Sequence, residues 1–214
     1  MPEYNSRVVK FSDMTLAAVL EALSGPEPTP GGGTAAAIAG AMGTSLLIMV
    51  AGLARSKTNA DEEKAALAAA RQALERIRAE LMRLADADAA AFDQVMTAYR
   101  KPKGTDQEKA ERSAAIQAAL QHATVIPLET LGACATALRR AGEVAGAGNR
   151  SAASDAGVAI GLLEAAAAGA EANVRGNLDS IKDEGFKTRT GTAVGQLSAG
   201  AAAIAGEARR RLAG

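Results

Sequence analysis

The chain has few of the side chains on which most enzyme chemistry depends. Its 214 residues include one cysteine, one histidine, two tyrosines, three phenylalanines and no tryptophan. The lone Cys134 excludes an internal disulfide framework and any cysteine-based zinc site, and it fits a reducing compartment. The lone His122 excludes metal sites with several imidazole ligands. The sequence therefore predicts neither a disulfide scaffold nor a metal centre rich in histidine or cysteine.

Net charge and aromatic content are also low. The chain carries 24 basic and 24 acidic residues, so its net charge is zero, and only 2% of its residues are aromatic. Proteins that bind nucleic acids usually carry an excess or a stripe of basic residues, and those that bind single strands stack bases on aromatic rings. We therefore expect no nucleic-acid partner.

Alanine is abundant, with 54 residues or about a quarter of the chain. Alanine is the best helix former and a poor strand former, so the composition predicts an all-α fold with closely packed helices. No composition shift marks a linker, and we predict a single domain over residues 1–214, a helical bundle of about six to seven helices. Expected helices run from about Ser12 to Leu23, Gly33 to Arg55, Asp61 to Tyr99, Asp106 to Ala145 with Pro127 inside, Ser151 or Ser154 to Leu178, and Asp183 to Leu212.

The second of these segments carries no charge from Thr34 to Ala54, which is about the length that crosses a membrane. Most of it is alanine, glycine, threonine and serine, with one short stretch of large apolar residues at 46–50. The N-terminal residues lack the apolar core of a signal peptide. We interpret the segment as the central helix of a cytoplasmic bundle and expect no membrane association.

A glycine-rich run opens the uncharged helix. Pro28-Thr29-Pro30 is followed by Gly31, Gly32 and Gly33, without the Gly-Lys-Ser/Thr ending of a phosphate-binding loop. Amides without side chains at a helix N-terminus can receive an anion, or let a flat ligand contact the backbone. The alternative is a tight turn between helices, and the pattern favours neither reading.

Two carboxylates occupy positions that need an explanation. Asp88 falls on the apolar stripe of the third helix, between Leu84 and Phe92, and Asp155 lies in the first turn of the fifth. A buried carboxylate is costly unless it is paired, and its pKa moves toward a working range. Asp88 is predicted either to form a salt bridge with a core-lining base or to do chemistry. Asp155 is either a first-turn acid favoured by the helix dipole or a second functional group.

Six short motifs occur together in an order that identifies a family. The chain resembles the cyclodeaminase/cyclohydrolase family of one-carbon folate enzymes from about Leu16 to Glu207. The family includes the cyclodeaminase half of formiminotransferase-cyclodeaminase and stand-alone methenyltetrahydrofolate cyclohydrolases. The motifs that carry the resemblance are PTPGGGTAAAIAGAMG, DADAAAF, RKPK, IPLE, GNRSAASDAGVA and ANVRGNL.

The resemblance implies an all-helical homodimer formed by helix packing, with no metal or other cofactor and a tetrahydrofolate derivative as substrate. It marks Asp155, Lys103 and Asp88 as catalytic: Asp155 as the base or water-orienting group, Asp88 as its support, and Lys103 near the developing oxyanion or a ring heteroatom. The substrate-binding residues that we assign with it are Pro30, Gly31, Gly32, Gly33, Lys57, Asn149 and Ser154.

Three functions stay open on the sequence. The first is hydrolysis of 5,10-methenyltetrahydrofolate to 10-formyltetrahydrofolate, a reaction in which water attacks a cationic carbon and needs only a carboxylate to remove a proton. The second is ring closure of formiminotetrahydrofolate with loss of ammonia. The third is a catalytically inactive structural protein of the same fold. The absence of a fused transferase tilts the prediction toward the cyclohydrolase.

Overall fold

The computed structural model describes residues 10–53 and 60–213, and its regular structure there is helical throughout, which confirms the all-α prediction. Short 3-10 turns occupy Phe11–Asp13 and Arg150–Ala152. The six α-helices are α1 (Leu16–Ser24), α2 (Gly32–Gly52), α3 (Asp61–Tyr99), α4 (Asp106–Ala147), α5 (Ala153–Leu178) and α6 (Glu184–Ala213).

The uncharged helix α2 is the centre of the bundle and contacts α3, α4 and α5. Its glycines permit close packing: a Cβ on Gly43 would lie only 2.8 Å from the carbonyl oxygen of Ala159 on α5. Both α2 and the segment Arg150–Leu178 are long and apolar enough to cross a membrane, by length and composition alone. In this structure, however, α2 buries eleven of its 21 residues against its neighbours.

Helix α3 begins and ends where the sequence predicted, at Asp61 and Tyr99. Its apolar stripe is buried, with Leu74, Leu81 and Leu84 fully removed from solvent. Three acidic residues in the first turn favour its N-terminus through the helix dipole. The stripe sets the rotation of α3, and this rotation turns Asp88 toward the start of α2.

Helix α4 is continuous over 42 residues, although Pro127 lies inside it. A capping box formed by Thr105 and Glu108 fixes its start: the Thr105 hydroxyl accepts from the Glu108 N–H at 3.1 Å, and the Glu108 carboxylate accepts from the Thr105 N–H at 2.9 Å. Cys134 is buried within α4, and burial raises the pKa of its thiol to about 12. This agrees with a packed core thiol rather than a nucleophile.

The predicted start of α1 was wrong, and that of α5 agrees to within two residues although no serine caps the helix. Thr15, not Ser12, caps α1, because the Thr15 hydroxyl accepts from the Ala18 N–H at 3.2 Å. Neither Ser151 nor Ser154 caps α5, because the chain enters that helix directly from the preceding 3-10 turn. A serine near a helix start is a cap only when the backbone leaves its hydroxyl facing the free N–H groups.

Candidate active site

Asp88 of α3 caps the N-terminus of α2 from outside the helix. Its Oδ2 accepts a hydrogen bond from the Thr34 hydroxyl at 2.9 Å, and its carboxylate also accepts from the Thr34 backbone N–H. Thr34 is the third residue of α2, and its N–H has no acceptor within the helix. The residue at the cap position, Gly31, has no side chain with which to supply one. A carboxylate 54 positions away in the sequence therefore performs the capping.

Gly33 makes this approach possible. A Cβ at Gly33 would collide with Asp88 Oδ1 and lie 2.7 Å from Asp88 Cγ, which is too close for any real side chain. At Gly32 a Cβ would lie 3.4 Å from Asn173 Nδ2, at the edge of ordinary contact. The triple glycine is thus more than a turn, because it lets a carboxylate and an amide reach the helix start.

The environment of Asp88 shifts its protonation equilibrium. Burial raises the pKa of its carboxyl above the usual range, and the two hydrogen bonds from Thr34 oppose that rise. Among the residues that the structure describes, Asp88 forms no ion pair, so the salt-bridge interpretation finds no support there. A half-buried carboxyl with a raised pKa and no cationic partner is a candidate for acid–base chemistry.

Asp88 opens into a cavity of about 310 Å³, which we call the Asp88 cavity. This volume lies at the lower end of the range for small-molecule sites. One wall is apolar, and the polar groups are the Asp88 carboxyl, two asparagine amides and the glycine backbone at the start of α2. The lining residues are Pro28, Thr29, Gly31, Gly32, Gly33, Asp88, Phe92, Val95, Leu120, Ala123, Asn173 and Asn177.

A second cavity, of about 340 Å³, adjoins the first across the loop that precedes α2. Thr29 lines both cavities, and Pro30 lines the second. Asp86 and Asp93 add two carboxylates there, and Asp86 Oδ1 accepts from the Phe11 backbone N–H at 2.8 Å. Together the two cavities give this end of the bundle enough room for a ligand larger than either alone would take.

The acidic residues of a third cavity are accounted for by ion pairs. This cavity, of about 200 Å³ between α4, α5 and α6, is lined by four alanines, Leu138 and Ser198, together with Glu164 and Glu171. Glu164 pairs with Arg209, and Glu171 pairs with Arg175. In residues 10–53 and 60–213, no three His, Cys, Asp or Glu side chains come together to hold a metal ion. The Asp88 cavity is therefore the better candidate site.

The structure brings only part of the predicted site together. The three glycines and Asp88 share one cavity, and Pro30 lies in the adjoining one. Lys103 is exposed in the loop between α3 and α4 and does not line the Asp88 cavity. Lys57 lies outside the described residues. The roles assigned to both lysines stay predictions.

Asp155, Asn149 and Ser154 lie at the other end of the bundle. α5 runs antiparallel to α2, so Asn173 faces the start of α2 while Ala159 faces its middle. Asp155 precedes Asn173 by 18 residues on the same helix, a distance of about 27 Å at 1.5 Å per residue. Within one chain, Asp155 and Asp88 therefore do not share a cavity, and the catalytic role of Asp155 stays a prediction.

Asn149 and Ser154 have local surroundings of their own. The Asn149 side-chain oxygen accepts from the Ser151 N–H at 3.0 Å and from the Ser151 hydroxyl at 2.7 Å, which fixes the turn before α5. Ser154 is exposed. These contacts give Asn149 a structural role in the turn, and its substrate contact stays a prediction.

Four polar residues at the cavity or bonded to its Asp88 were absent from the predicted site: Thr29, Thr34, Asn173 and Asn177. The two asparagines are four residues apart in the ANVRGNL motif, a spacing that places both on one face of a helix. That spacing was a usable signal. Thr34 gave no such signal, because its role depends on a partner from another helix.

Comparison with known proteins decides the family. Residues 15–196 match the sequence model of the family described as formiminotransferase-cyclodeaminase. The chain belongs to this family.

The relatives that this chain matches include a methenyltetrahydrofolate cyclohydrolase from Methylorubrum extorquens. It is 42% identical over 172 residues, which cover 80% of this chain and 83% of that protein. A formimidoyltransferase-cyclodeaminase from Gallus gallus is 34% identical over 182 residues. That match covers 85% of this chain but only 34% of the relative, so the chain spans about a third of the two-function protein.

A solved structure supports the same family. The crystal structure of formiminotetrahydrofolate cyclodeaminase from Thermotoga maritima superposes with a TM-score of 0.84 at 27% sequence identity. The superposition covers 94% of this chain and 97% of that one. The bundle described above is therefore the fold of the family over nearly its whole length.

Proposed function

We propose that this member of the family is a methenyltetrahydrofolate cyclohydrolase. The observation that carries the proposal is the half-buried Asp88 carboxyl, held by Thr34 at the wall of a cavity and without a cationic partner among the described residues. A carboxylate in that state attracts a cation and can remove a proton from water. The named relative at 42% identity supports the same choice.

The reaction balances with this one acid–base group. Methenyltetrahydrofolate is a cationic amidinium, and water adds to the carbon that bridges N5 and N10. The Asp88 carboxylate takes a proton from that water, which leaves a tetrahedral intermediate with a hydroxyl group. N5 then takes up a proton as its bond to the carbon breaks, and the hydroxyl gives up its proton as the carbon becomes the formyl group on N10. The proton that Asp88 took from water is the one released overall.

The ionised form of Asp88 is the form that this mechanism uses. Because burial raises the pKa of Asp88, the carboxyl takes up its proton at a higher pH than an ordinary aspartate does. Activity should therefore fall on the acid side with a midpoint above the usual aspartate value of about 3.9. The same shift brings Asp88 closer to the pKa of an effective base.

The catalytic roles of Asp155 and Lys103 are tested by substitution. The family resemblance assigns proton removal to Asp155, whereas the lining of the Asp88 cavity favours Asp88 for that step. If Asp155→Asn alone abolishes turnover, Asp155 is the base, and a second copy of the chain must bring it to the substrate. Lys103→Ala tests the oxyanion contact in the same way.

The second candidate function is that of a formiminotetrahydrofolate cyclodeaminase. It is favoured by the solved structure from Thermotoga maritima that carries this name, because the superposition covers 97% of that chain. In that reaction N10 attacks the formimino carbon and loses its proton. The former imino nitrogen takes up protons, its bond to the carbon breaks, and it leaves as ammonia. Purified protein given each substrate separates the two functions. Loss of near-ultraviolet methenyl absorbance reports hydrolysis, and ammonia release reports deamination. If the protein accelerates neither reaction, the third function, a catalytically inactive structural protein, is the one supported.

We infer that the chain is a homodimer in the cytoplasm. The outward faces of α2 and α5 expose large apolar side chains with no charge among them: Met42 is 48% exposed, Met49 42%, Leu53 40% and Val158 57%. Exposed apolar patches of this kind mark interfaces. Because a two-fold dimer uses one patch against its own copy, a patch along the C-terminal half of α2 suits a second copy of this chain.

The size of the particle in solution tests the dimer. Light scattering after size-exclusion chromatography should give twice the 21.6 kDa mass of one chain. Met49→Glu should shift the particle toward monomer, because it places a charge at the proposed interface. Binding of the wild type to lipid vesicles, with a monomer in solution, would point to a membrane as the occupant instead.

A further inference from the structure

Pro127 leaves a gap in the hydrogen bonding of α4. In an α-helix the N–H of each residue donates to the carbonyl four positions earlier, so residue 127 would donate to Ala123. Proline has no N–H, and its ring pushes the carbonyl of residue i−4 away from the helix axis. The carbonyl oxygen of Ala123 therefore lacks its helical donor, although α4 continues through this point.

Asn177 of α5 fills this gap. Its Nδ2 donates to the Ala123 carbonyl oxygen at 3.0 Å, across 54 positions of sequence. Because a carbonyl oxygen can only accept, this contact fixes which end of the amide is the NH₂ group. Both residues line the Asp88 cavity. The amide oxygen of Asn177 is thereby left as the acceptor that this side chain can offer to a ligand.

Asn173, one turn earlier on α5, has a similar arrangement. Its Nδ2 donates to the carbonyl oxygen of Gly169 at 2.8 Å, so its NH₂ group is also engaged with backbone. Among the described residues, nothing donates to the Oδ1 atom of either asparagine. The lining of the cavity thus carries three acceptor groups, the Asp88 carboxyl and the oxygens of two oriented amides.

We propose that Asn177 is a specificity residue whose amide oxygen accepts hydrogen bonds from the N–H groups of the substrate's aminopyrimidinone ring. We assign Pro127 as its positioning residue, because Pro127 frees the carbonyl that holds the amide. The proposal rests on the proposed function for the identity of the ring. It also gives the IPLE motif of α4 a purpose, since its proline maintains a contact in the site rather than ending the helix.

A double-mutant cycle tests the link between the two residues. Asn177→Ala should lower kcat/KM for methenyltetrahydrofolate at least about tenfold, mainly through KM, because it removes the acceptor. Pro127→Ala restores an N–H that competes for the Ala123 carbonyl, and it should lower kcat/KM about three- to tenfold. The double variant should be no worse than Asn177→Ala alone, because both changes act through the same amide.

A matched control comes from the same helix α4. Gln117 of α4 holds the loop that follows α5: its Nε2 donates to the Ser180 carbonyl at 3.1 Å and its Oε1 accepts from the Lys182 N–H at 2.7 Å. Gln117 does not line the Asp88 cavity. Gln117→Ala should lower the melting temperature and leave kcat/KM within about twofold of wild type. A loss of activity as large as that of Pro127→Ala would mean that any weakening of the α4–α5 contact disturbs the site.

Asn177→Asp keeps an oxygen but loses the donor to Ala123, and it should also lose activity. The proposal is overturned if Asn177→Ala or Asn177→Asp has wild-type activity. It is also overturned if kcat/KM is unchanged in Pro127→Ala, or if the losses add in the double variant. A geometric readout separates it from the proposed function: the NMR signals of the Asn177 side-chain NH₂ should shift in folded Pro127→Ala. A wild type inactive on both folates defeats the proposed function, whereas unshifted NH₂ signals defeat this inference.

Discussion

Replacing Gly33 by alanine probes the contact between α2 and Asp88 with the least chemical change. The added Cβ would lie 2.7 Å from Asp88 Cγ, so the carboxyl must move away from the helix start. That movement breaks at least one of the two hydrogen bonds from Thr34, and a bond to a charged group is worth about 1.5–3 kcal/mol. Alanine in place of glycine returns at most about 1 kcal/mol of helix propensity. We expect a net loss of about 1–3 kcal/mol.

The loss can be read from thermal unfolding and from activity. For a chain of this size, about 1 kcal/mol shifts the melting temperature by roughly 2–4 °C. Gly33→Ala should therefore melt roughly 2–12 °C lower than wild type. Turnover of methenyltetrahydrofolate should fall at least about tenfold, because the displaced carboxyl no longer faces the substrate.

Two controls make the result specific. At Gly176, also within a helix, a Cβ would meet nothing within 4 Å, so Gly176→Ala should melt at or above the wild-type temperature. In an Asp88→Ala background the collision is gone, so adding Gly33→Ala there should cost nothing further. An equal loss in both backgrounds would refute the reasoning, because the cost would then not arise at Asp88.

Three further predictions concern charge and assembly. Asp88→Asn retains an oxygen that can accept from Thr34 but cannot ionise. The pH dependence of its kcat/KM should therefore lack the acid limb, and its melting temperature should be no lower than that of the wild type. In the wild type, that acid limb should have an apparent pKa above about 3.9, because burial raises the pKa of Asp88. Met49→Glu should halve the particle mass measured by light scattering, whereas the exposed Ala203 of α6, changed to glutamate, should leave it unchanged.

Long periodic segments were predictable from sequence because their signals are local. The apolar stripe of α3 and the run Arg100-Lys101-Pro102-Lys103-Gly104 that follows it fix both the rotation and the end of that helix. In α1 the helical spacing of Leu16, Val19 and Leu20 predicts one apolar face, yet Leu16 is 63% exposed and Leu20 57%, and only Val19 of the three is buried. Periodicity shows that a helix has an apolar face, but not which element covers it.

The site was predictable only in part because its contacts join distant helices. The sequence placed Asp88 on a core stripe, yet its partner proved to be Thr34 at the start of another helix. The family resemblance implied that Asp88 supports Asp155 in one site. Since α5 runs antiparallel to α2, however, the two carboxylates lie at opposite ends of the bundle. Direction of packing is a tertiary property, and no local pattern encodes it.

The most direct test of the account is the rate of methenyltetrahydrofolate hydrolysis by wild type and by Asp88→Asn, measured side by side as loss of near-ultraviolet absorbance at neutral pH. We predict that the wild type is clearly faster than buffer and that the variant is at least about tenfold slower with an unchanged melting temperature. A wild type no faster than buffer, or a folded Asp88→Asn that matches wild type, would contradict it.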